Sequence, residues 1–147
     1  MQQSQTIKMN QFRLGGISVR MNNTEESLQQ IPQLWERFFK EGVLQQLLGN
    51  TQDRPIYEAY YDYDSDASGH YTLMLGTRVD DGSRLPEGMS EKMIPMATYA
   101  VFDVNGPDKI KDAWQEIWKN KDLKRTFTGD FEIIQGNSVK IYVAVEN

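Results

Sequence analysis

The sequence predicts an α+β fold in which a strand-helix-strand-strand unit occurs twice. Several segments alternate apolar and polar residues, as strands do, and two segments repeat apolar residues at helical spacing. The two helical segments, 31–39 and 110–118, align without a gap and each has a Trp at its fifth position. This duplication predicts one antiparallel sheet with helices packed on one face, and a cleft where the halves meet at a pseudo-two-fold axis.

The first half covers about residues 15–80. The preceding residues, 1–11, are Gln-rich and are expected to be flexible or to add an edge strand. Asn23 is the expected N-cap of the first helix, and Gly42 ends or bends that helix. Tyr-rich segments favour strands, and an acidic turn joins two of them as a hairpin. The predicted elements are a strand at 16–21, a helix at 23–42 followed by a short helical turn at 43–48, and strands at 56–63 and 71–79.

The second half covers about residues 92–147 and follows a polar loop at 80–91. Pro107 suits the first position of a helix, because that position needs no backbone N–H donor. Gly136-Asn137 is a typical hairpin turn between the last two strands. The predicted elements are a strand at 94–105 that is broken near Pro95, a helix that opens at 107, and strands at 131–135 and 139–145.

Composition excludes several classes of function. The chain has 147 residues, which favours one domain, and we place that domain at 12–147. With 16 Lys plus Arg against 21 Asp plus Glu, the formal net charge of −5 argues against direct nucleic-acid binding. The chain has no Cys and a single His, His70, which excludes disulfides, thiol catalysis and multi-histidine metal sites. We expect no metal and no cofactor.

The sequence also argues against a membrane location. No apolar run approaches the roughly 20 residues that span a bilayer, and the polar N-terminus lacks the apolar core of a signal peptide. We therefore expect a cytoplasmic protein.

Glu132 is the most informative residue, because it lies in an apolar strand between Phe131 and Ile133. Alternation places those two neighbours on one face of the sheet and Glu132 with Ile134 on the other. Two interpretations are open: a carboxylate on the solvated face of the sheet, or a carboxylate at the floor of an aromatic cleft. In the second case burial would raise its pKa, and a cationic organic ligand would restore a partner.

Glu58 holds the same place in the first half and has the same two interpretations. It shares its face with Tyr60, and an acidic residue among tyrosines suits a lipophilic cation, because aromatic rings add cation–π attraction to the charge. Alternation places the other residues of this segment toward the core: Tyr57, Ala59, Tyr61 and Tyr63.

Among the remaining aromatic residues, Tyr142 is least explained by a role in the core. It shares a strand face with Lys140 and Ala144 and is predicted to face Glu132 across the closing hairpin. Aromatic stripes on helices are usually core, and this interpretation applies to Trp35, Trp114 and Trp118.

Several segments resemble the GyrI-like effector-binding domains, which are the ligand-binding domains of AraC-type and MerR-type multidrug regulators and also occur as free-standing proteins. The resemblance extends from about Phe12 to Glu146 and is strongest in the second half. It rests on Tyr99-Ala100-Val101-Phe102 before Gly106-Pro107, the helix with Trp114 and Trp118, Gly129-Asp130-Phe131-Glu132, and the strand at 139–145.

The resemblance implies a duplicated α+β fold with a ligand cleft at the junction of the halves. The acidic residue that pairs with cationic drugs in several members of the family falls on Glu132, and an aromatic position of the final strand falls on Tyr142. Weaker candidates for the lining of the pocket are Tyr60, Tyr71, Phe102 and Trp118.

The first functional hypothesis is a stand-alone binding protein for hydrophobic, cationic organic compounds, linked to transcription regulation or drug sequestration. Regulators of the resembling family place a DNA-binding domain first, and residues 1–11 are too few for a helix-turn-helix. One alternative is a protein–protein module resembling the gyrase inhibitors, whose acidity would help it block a nucleic-acid site. Another is a small-molecule hydrolase with Glu132 as general base. No nucleophile–base pair is visible, so we assign no catalytic residue.

Overall fold

The computed structural model describes residues 2–49 and 55–147, which form one antiparallel sheet and a set of short helices. The strands are β1 (Gln2–Met9), β2 (Phe12–Met21), β3 (Ile56–Tyr61), β4 (Tyr71–Val79), β5 (Ser90–Ile94), β6 (Ala97–Val104), β7 (Asp130–Gln135) and β8 (Ser138–Val145). The helices are α1 (Glu25–Leu28), α2 (Gln30–Lys40), α3 (Val43–Leu48) and α4 (Ile110–Lys119), the last preceded by a 3-10 turn at Pro107–Lys109. The predicted α+β class is confirmed.

The order of the strands shows the duplication. It is β1-β6-β8-β7-β3-β4-β2-β5, and every neighbouring pair is antiparallel. Outward from the contact between β7 and β3, strand β8 corresponds to β4, β6 to β2, and β1 to β5. The pseudo-two-fold axis therefore passes between β7 and β3, where Glu58 lies directly opposite Glu132.

Each half contains one strand more than the predicted unit, and the two halves exchange that strand. β1 precedes β2 in the chain but pairs with β6, whereas β5 precedes β6 but pairs with β2. The prediction of a loop up to residue 91 was wrong at its end, because β5 begins at Ser90. This strand is mostly polar because it lies at the edge of the sheet and has solvent on one side.

The sheet curls around a core that is built from strands alone. The ring centroids of Phe12 on β2 and Phe131 on β7 are 5.2 Å apart. In a flat sheet the two strands would be three spacings of about 4.8 Å apart, so only strong curvature brings these rings together. Tyr57, Ala59 and Tyr61 belong to this core, as alternation predicts.

The helices pack on the other face in two groups. Helices α2 and α3 cover β2 and β4, with Phe38 and Val43 buried between them and the sheet. Helix α4 covers β6 and β8, with Trp114 and Ile117 buried. The two groups leave the central strands β3 and β7 at the floor of a gap between them, which is the predicted cleft.

Local signals explain the limits of the first helices. The predicted N-cap at Asn23 was wrong by one residue: the Thr24 hydroxyl accepts the backbone N–H of Ser27 at 3.2 Å, while the amide oxygen of Asn23 accepts the hydroxyl of Tyr71 at 2.6 Å. Gly42 has φ of +61° directly after the end of α2, a conformation that glycine adopts without strain.

Candidate functional site

Two buried carboxyl groups form the floor of the cleft. Glu58 on β3 and Glu132 on β7 are directly opposite each other in an antiparallel pair, and their exposed fractions are 5% and 0%. Side chains in such a position share a face, with Cβ atoms about 4.5–5.5 Å apart. The interpretation of a solvated carboxylate is therefore wrong for both residues, because both are buried at the bottom of the cleft and Glu132 is covered by Tyr60 and Trp114.

One oxygen of Glu132 is held by two donors from different elements. The indole N–H of Trp114 on α4 donates to Oε2 at 2.6 Å, and the hydroxyl of Tyr60 on β3 donates to the same oxygen. The other oxygen, Oε1, is buried and has no hydrogen-bond partner among the described residues. Glu132 is thus anchored through one oxygen, while the other oxygen is without a donor.

The two carboxyl groups differ in their affinity for a proton. Burial raises the pKa of Glu58 well above its ordinary value, the nearby Glu132 raises it further, and hydrogen bonds from Trp35 and Tyr60 offset part of this increase. Burial also raises the pKa of Glu132, whereas the hydrogen bonds from Glu58, Tyr60 and Trp114 lower it. Since the interaction between the two groups raises the pKa of Glu58 and lowers that of Glu132, the pair favours the negative charge on Glu132 and the proton on Glu58.

A cavity of about 810 Å³ lies above this pair. That volume falls within the roughly 300–1,000 Å³ that is usual for small-molecule sites. Glu58 lines the cavity, whereas Glu132 lies beneath its floor. The walls are mainly apolar, and seven aromatic residues from both halves contribute to them: Trp35, Phe39, Tyr60, Tyr63, Tyr71, Trp114 and Trp118.

The mouth of the cavity is formed by residues that correspond in the two halves. Phe39 and Trp118 occupy equivalent positions in the aligned helices, line the cavity, and are 67% and 46% exposed. Large exposed aromatic side chains at the rim of a concave site are typical of ligand-binding surfaces.

The arginine in the cavity wall is already paired. Nη2 of Arg125 donates to Oδ2 of Asp130 at 2.9 Å, and the side chains are 9% and 0% exposed. The hydroxyl of Tyr63 donates to the same oxygen at 2.7 Å, and the backbone N–H of Ala144 donates to Oδ1 at 2.8 Å. The charge of Arg125 is therefore balanced by Asp130.

The structure brings five of the seven predicted site residues to the cleft. Four of them line the cavity: Glu58, Tyr60, Tyr71 and Trp118. Glu132 lies directly below, so the residue with the strongest sequence signal is the deeper member of the pair and Glu58 is the member that reaches the cavity.

Tyr142 does not face Glu132, and that prediction was wrong. In the β7–β8 hairpin Tyr142 is opposite Phe131, and Glu132 is opposite Ile141. Residues opposite each other share a face, so Tyr142 stacks on Phe131, with ring centroids 4.6 Å apart, against the core built from strands. The turn at Gly136-Asn137 pairs Gln135 with Ser138 and so determines this register.

Phe102 also lies away from the cavity. It is 4% exposed and belongs to the cluster that α4 covers, opposite Ile141 on β8. Strand β6 is separated from β3 by two other strands, which places Phe102 under the helix instead of in the gap between the helices.

Four residues of the cavity wall were not predicted as site residues: Trp35, Tyr63, Trp114 and Arg125. The two Trp positions were visible in the repeat, since each half pairs one Trp on its helix with one Glu on its strand. Tyr63 was assigned to the core by alternation, but Asp62 has φ of +51° and breaks the strand geometry before it. No pattern in the sequence distinguishes Arg125 from its basic neighbours.

The described residues offer little for metal chemistry. Within 2–49 and 55–147 no group of three His, Cys, Asp or Glu side chains is arranged to hold a metal ion. In the same ranges no helix has the length and apolar character required to cross a bilayer.

The side chains around the cavity suit non-covalent binding of an organic molecule. The glutamates supply charge and the aromatic rings supply contact area.

Comparison with known proteins agrees with this geometry. The model of the family described as "Cass2: Integron-associated effector binding protein" matches residues 7–145. The Bacillus subtilis (strain 168) protein named "Putative transcriptional regulator protein YobU" is 33% identical, over 91% of this chain and 92% of its own length.

Solved structures share the fold over almost the whole chain. An integron cassette protein, Cass2, from the mobile metagenome of Vibrio cholerae is 26% identical, with a TM-score of 0.79 and coverage of 99% of this chain and 97% of its own. A structure of SAV2435 bound to tetraphenylphosphonium is 18% identical, also with a TM-score of 0.79, and covers 100% of this chain and 95% of its own.

Proposed function

The chain belongs to the Cass2 family of integron-associated effector binding proteins, and from this premise we propose that it binds a hydrophobic organic cation in the cavity above Glu58 and Glu132. The resemblance to GyrI-like effector-binding domains is thereby confirmed at the level of the family. The observation that carries the proposal is the buried carboxyl pair at the floor of an aromatic cavity. No cation among the described residues is paired with it.

The two parts of the site have different energetic roles. Burial of the ligand against the aromatic walls supplies most of the affinity, at roughly 25 cal/mol for each Å² of apolar surface removed from water. The carboxyl pair supplies selectivity, because a buried negative charge without a cation favours a ligand that brings one. The ring faces of Trp35 and Tyr60 add cation–π attraction of about 0.5–2 kcal/mol each.

Each glutamate has its own role in this proposal. Glu58 contacts the ligand, since it is the carboxyl group that lines the cavity. Glu132 provides charge from beneath the floor and is kept in place by Tyr60 and Trp114. Trp118 and Phe39 close over the ligand at the mouth.

Tetraphenylphosphonium is a suitable first probe, because the ligand named for SAV2435 is a permanent organic cation. Tetraphenylborate has nearly the same shape and the opposite charge. We expect isothermal titration calorimetry to show binding of the cation and much weaker binding of the anion. Equal affinity for both ions would contradict the proposal, because shape alone would then explain binding.

Two substitutions distinguish the effect of the charge at Glu58 on ligand binding from the effect of the net charge of the protein. We expect Glu58→Gln to weaken binding of the cation at least tenfold, which corresponds to about 1.4 kcal/mol. Glu116→Gln makes the same chemical change on the exposed side of α4 and should leave binding unchanged. Equal affinities of the two variants would exclude Glu58 from the binding site.

The other two interpretations of the sequence, a protein-binding inhibitor and a hydrolase, stay predictions. No contact in the described residues favours either of them over ligand binding.

A further inference from the structure

The two glutamates at the floor of the cleft face each other, and no Lys or Arg side chain in the described ranges is paired with either of them. Glu58 and Glu132 are directly opposite across β3 and β7 and are almost completely buried. Two carboxylates at this distance repel each other, and each has lost most of its hydration. A charge of −2 at this place would need a compensating positive group.

The basic residues near the cavity do not supply that group. Arg125 donates to Asp130, which is fully buried and balances its charge. Lys111 also lines the cavity, but it lies on the exposed side of α4. Neither side chain donates a hydrogen bond to Glu58 or Glu132 among the contacts of the described residues.

The remaining neighbours of the pair are donors that hold their own protons. On β3 and β4, burial raises the pKa of Tyr60 well above 10 and that of Tyr71 to about 12, and the glutamate charges add to both shifts. Burial likewise raises the pKa of Tyr63 well above 10. On α2 and α4 the facing groups are the indoles of Trp35 and Trp114, which do not titrate. Among these groups, the carboxyl pair is therefore the place to look for a proton that the site gains or releases.

The hydrogen-bond pattern of Glu132 marks the place of a proton. Its Oε2 has two donors, whereas its buried Oε1 has none among the described residues. A buried carboxylate oxygen without a donor is unusual and calls for an explanation. A proton on Glu58, which lies directly opposite, would supply the missing donor.

We propose that the ligand-free site holds one proton between Glu58 and Glu132, and that an organic monocation displaces this proton when it binds. This inference rests on the proposed function. The O–H bond of Glu58 breaks, the proton leaves to a solvent base, and the ligand cation binds in the cavity against Glu58, with the charge of Glu132 beneath it. Net charge is conserved in the cleft, because one positive charge replaces another. Affinity for a permanent cation therefore increases with pH.

The test uses the full chain and tetraphenylphosphonium, which has no proton of its own to exchange. Calorimetric titrations near pH 7 in phosphate, HEPES and Tris give enthalpies that differ by the heat of buffer protonation multiplied by the number of protons released. We expect about one proton for each ligand bound. Binding with no dependence on the buffer would overturn the inference and leave the proposed function intact, while no binding in any buffer would overturn both.

Two further measurements assign the proton to the pair. Glu58→Gln should abolish most of the proton release, whereas Glu116→Gln should retain it; equal release by both variants would place the source elsewhere. If the first variant binds too weakly for calorimetry, infrared difference spectra of the unsubstituted protein give the same answer. Ligand addition should remove a carbonyl band of a protonated carboxyl group, and an unchanged band would overturn the assignment.

Discussion

Replacing Tyr60 by Phe isolates one hydrogen bond to the buried carboxylate. The substitution removes the hydroxyl that donates to Oε2 of Glu132 and leaves the ring in place. The ring contacts should persist, because the centroid of Tyr60 lies 5.1 Å from that of Trp114 and 5.9 Å from that of Tyr71. After the change, Oε2 has Trp114 as its remaining donor.

The size of the effect follows from the charge on the acceptor. A hydrogen bond to a charged group contributes about 1.5–3 kcal/mol to stability. Tyr60 also lines the cavity, where water can replace part of the lost bond, so we expect the free energy of unfolding to fall by about 2 kcal/mol. For a chain of this length that corresponds to a decrease in Tm of about 4–8 °C.

Tyr99 provides a matched control for the same chemical change. Its ring is 1% exposed, and its hydroxyl is buried with no hydrogen-bond partner in the part of the chain that the structure describes. Tyr99→Phe removes a polar atom that gains nothing from burial, so stability should be unchanged or should increase by about 1 kcal/mol. Urea unfolding of both variants at neutral pH measures the difference. Equal losses of stability for Tyr60→Phe and Tyr99→Phe would show that the hydroxyl of Tyr60 contributes no stabilising hydrogen bond to Glu132.

Two further predictions concern the buried charges. Because the pKa of the Glu58–Glu132 pair is raised, the folded protein keeps a proton that the unfolded chain has released at the same pH. The native state therefore binds more protons than the unfolded state. The free energy of unfolding should decrease as pH rises above about 4.5. The slope should reach at most about 1.4 kcal/mol per pH unit for one group. Urea unfolding at a series of pH values should show this slope in the unsubstituted protein and a much smaller one in Glu58→Gln. The second prediction concerns Arg125→Met, which leaves Asp130 buried without its cation and should lower the free energy of unfolding by about 3–5 kcal/mol. Guanidinium unfolding measures this loss, and a value below about 1 kcal/mol would show that the ion pair does not stabilise the fold.

The secondary structure and the duplication could be predicted from sequence patterns that each extend over only a few residues. Period-two alternation assigns the faces of β7, and the aligned helices show the duplication before any contact is known. The exchange of β1 and β5 between the halves was not predictable in this way. Which strand an edge strand joins depends on the path of the whole chain, and neither segment has a local signal for its partner.

The wrong prediction for Tyr142, unlike the exchange of the edge strands, could have been avoided from the sequence, because the hairpin turn shows which residue Tyr142 faces. A two-residue turn at Gly136-Asn137 determines the register of the hairpin and places Tyr142 opposite Phe131. Counting from the turn would have assigned Tyr142 to the core face. Tyr63, by contrast, could not be assigned by counting, since a single residue of positive φ before it changes the direction of the side chain.

The fold class, the duplication, and the face of the sheet on which Glu58 and Glu132 lie all follow from patterns in the sequence. The burial of these two side chains and their position opposite each other depend on the assembled fold. Alternation is a local property of the backbone, whereas burial depends on α2 and α4, which come from different halves and approach the same two strands. The pairing of β3 with β7 places Glu58 opposite Glu132, although these residues are 74 positions apart in the sequence. Neither strand alone would form this site of two buried carboxyl groups.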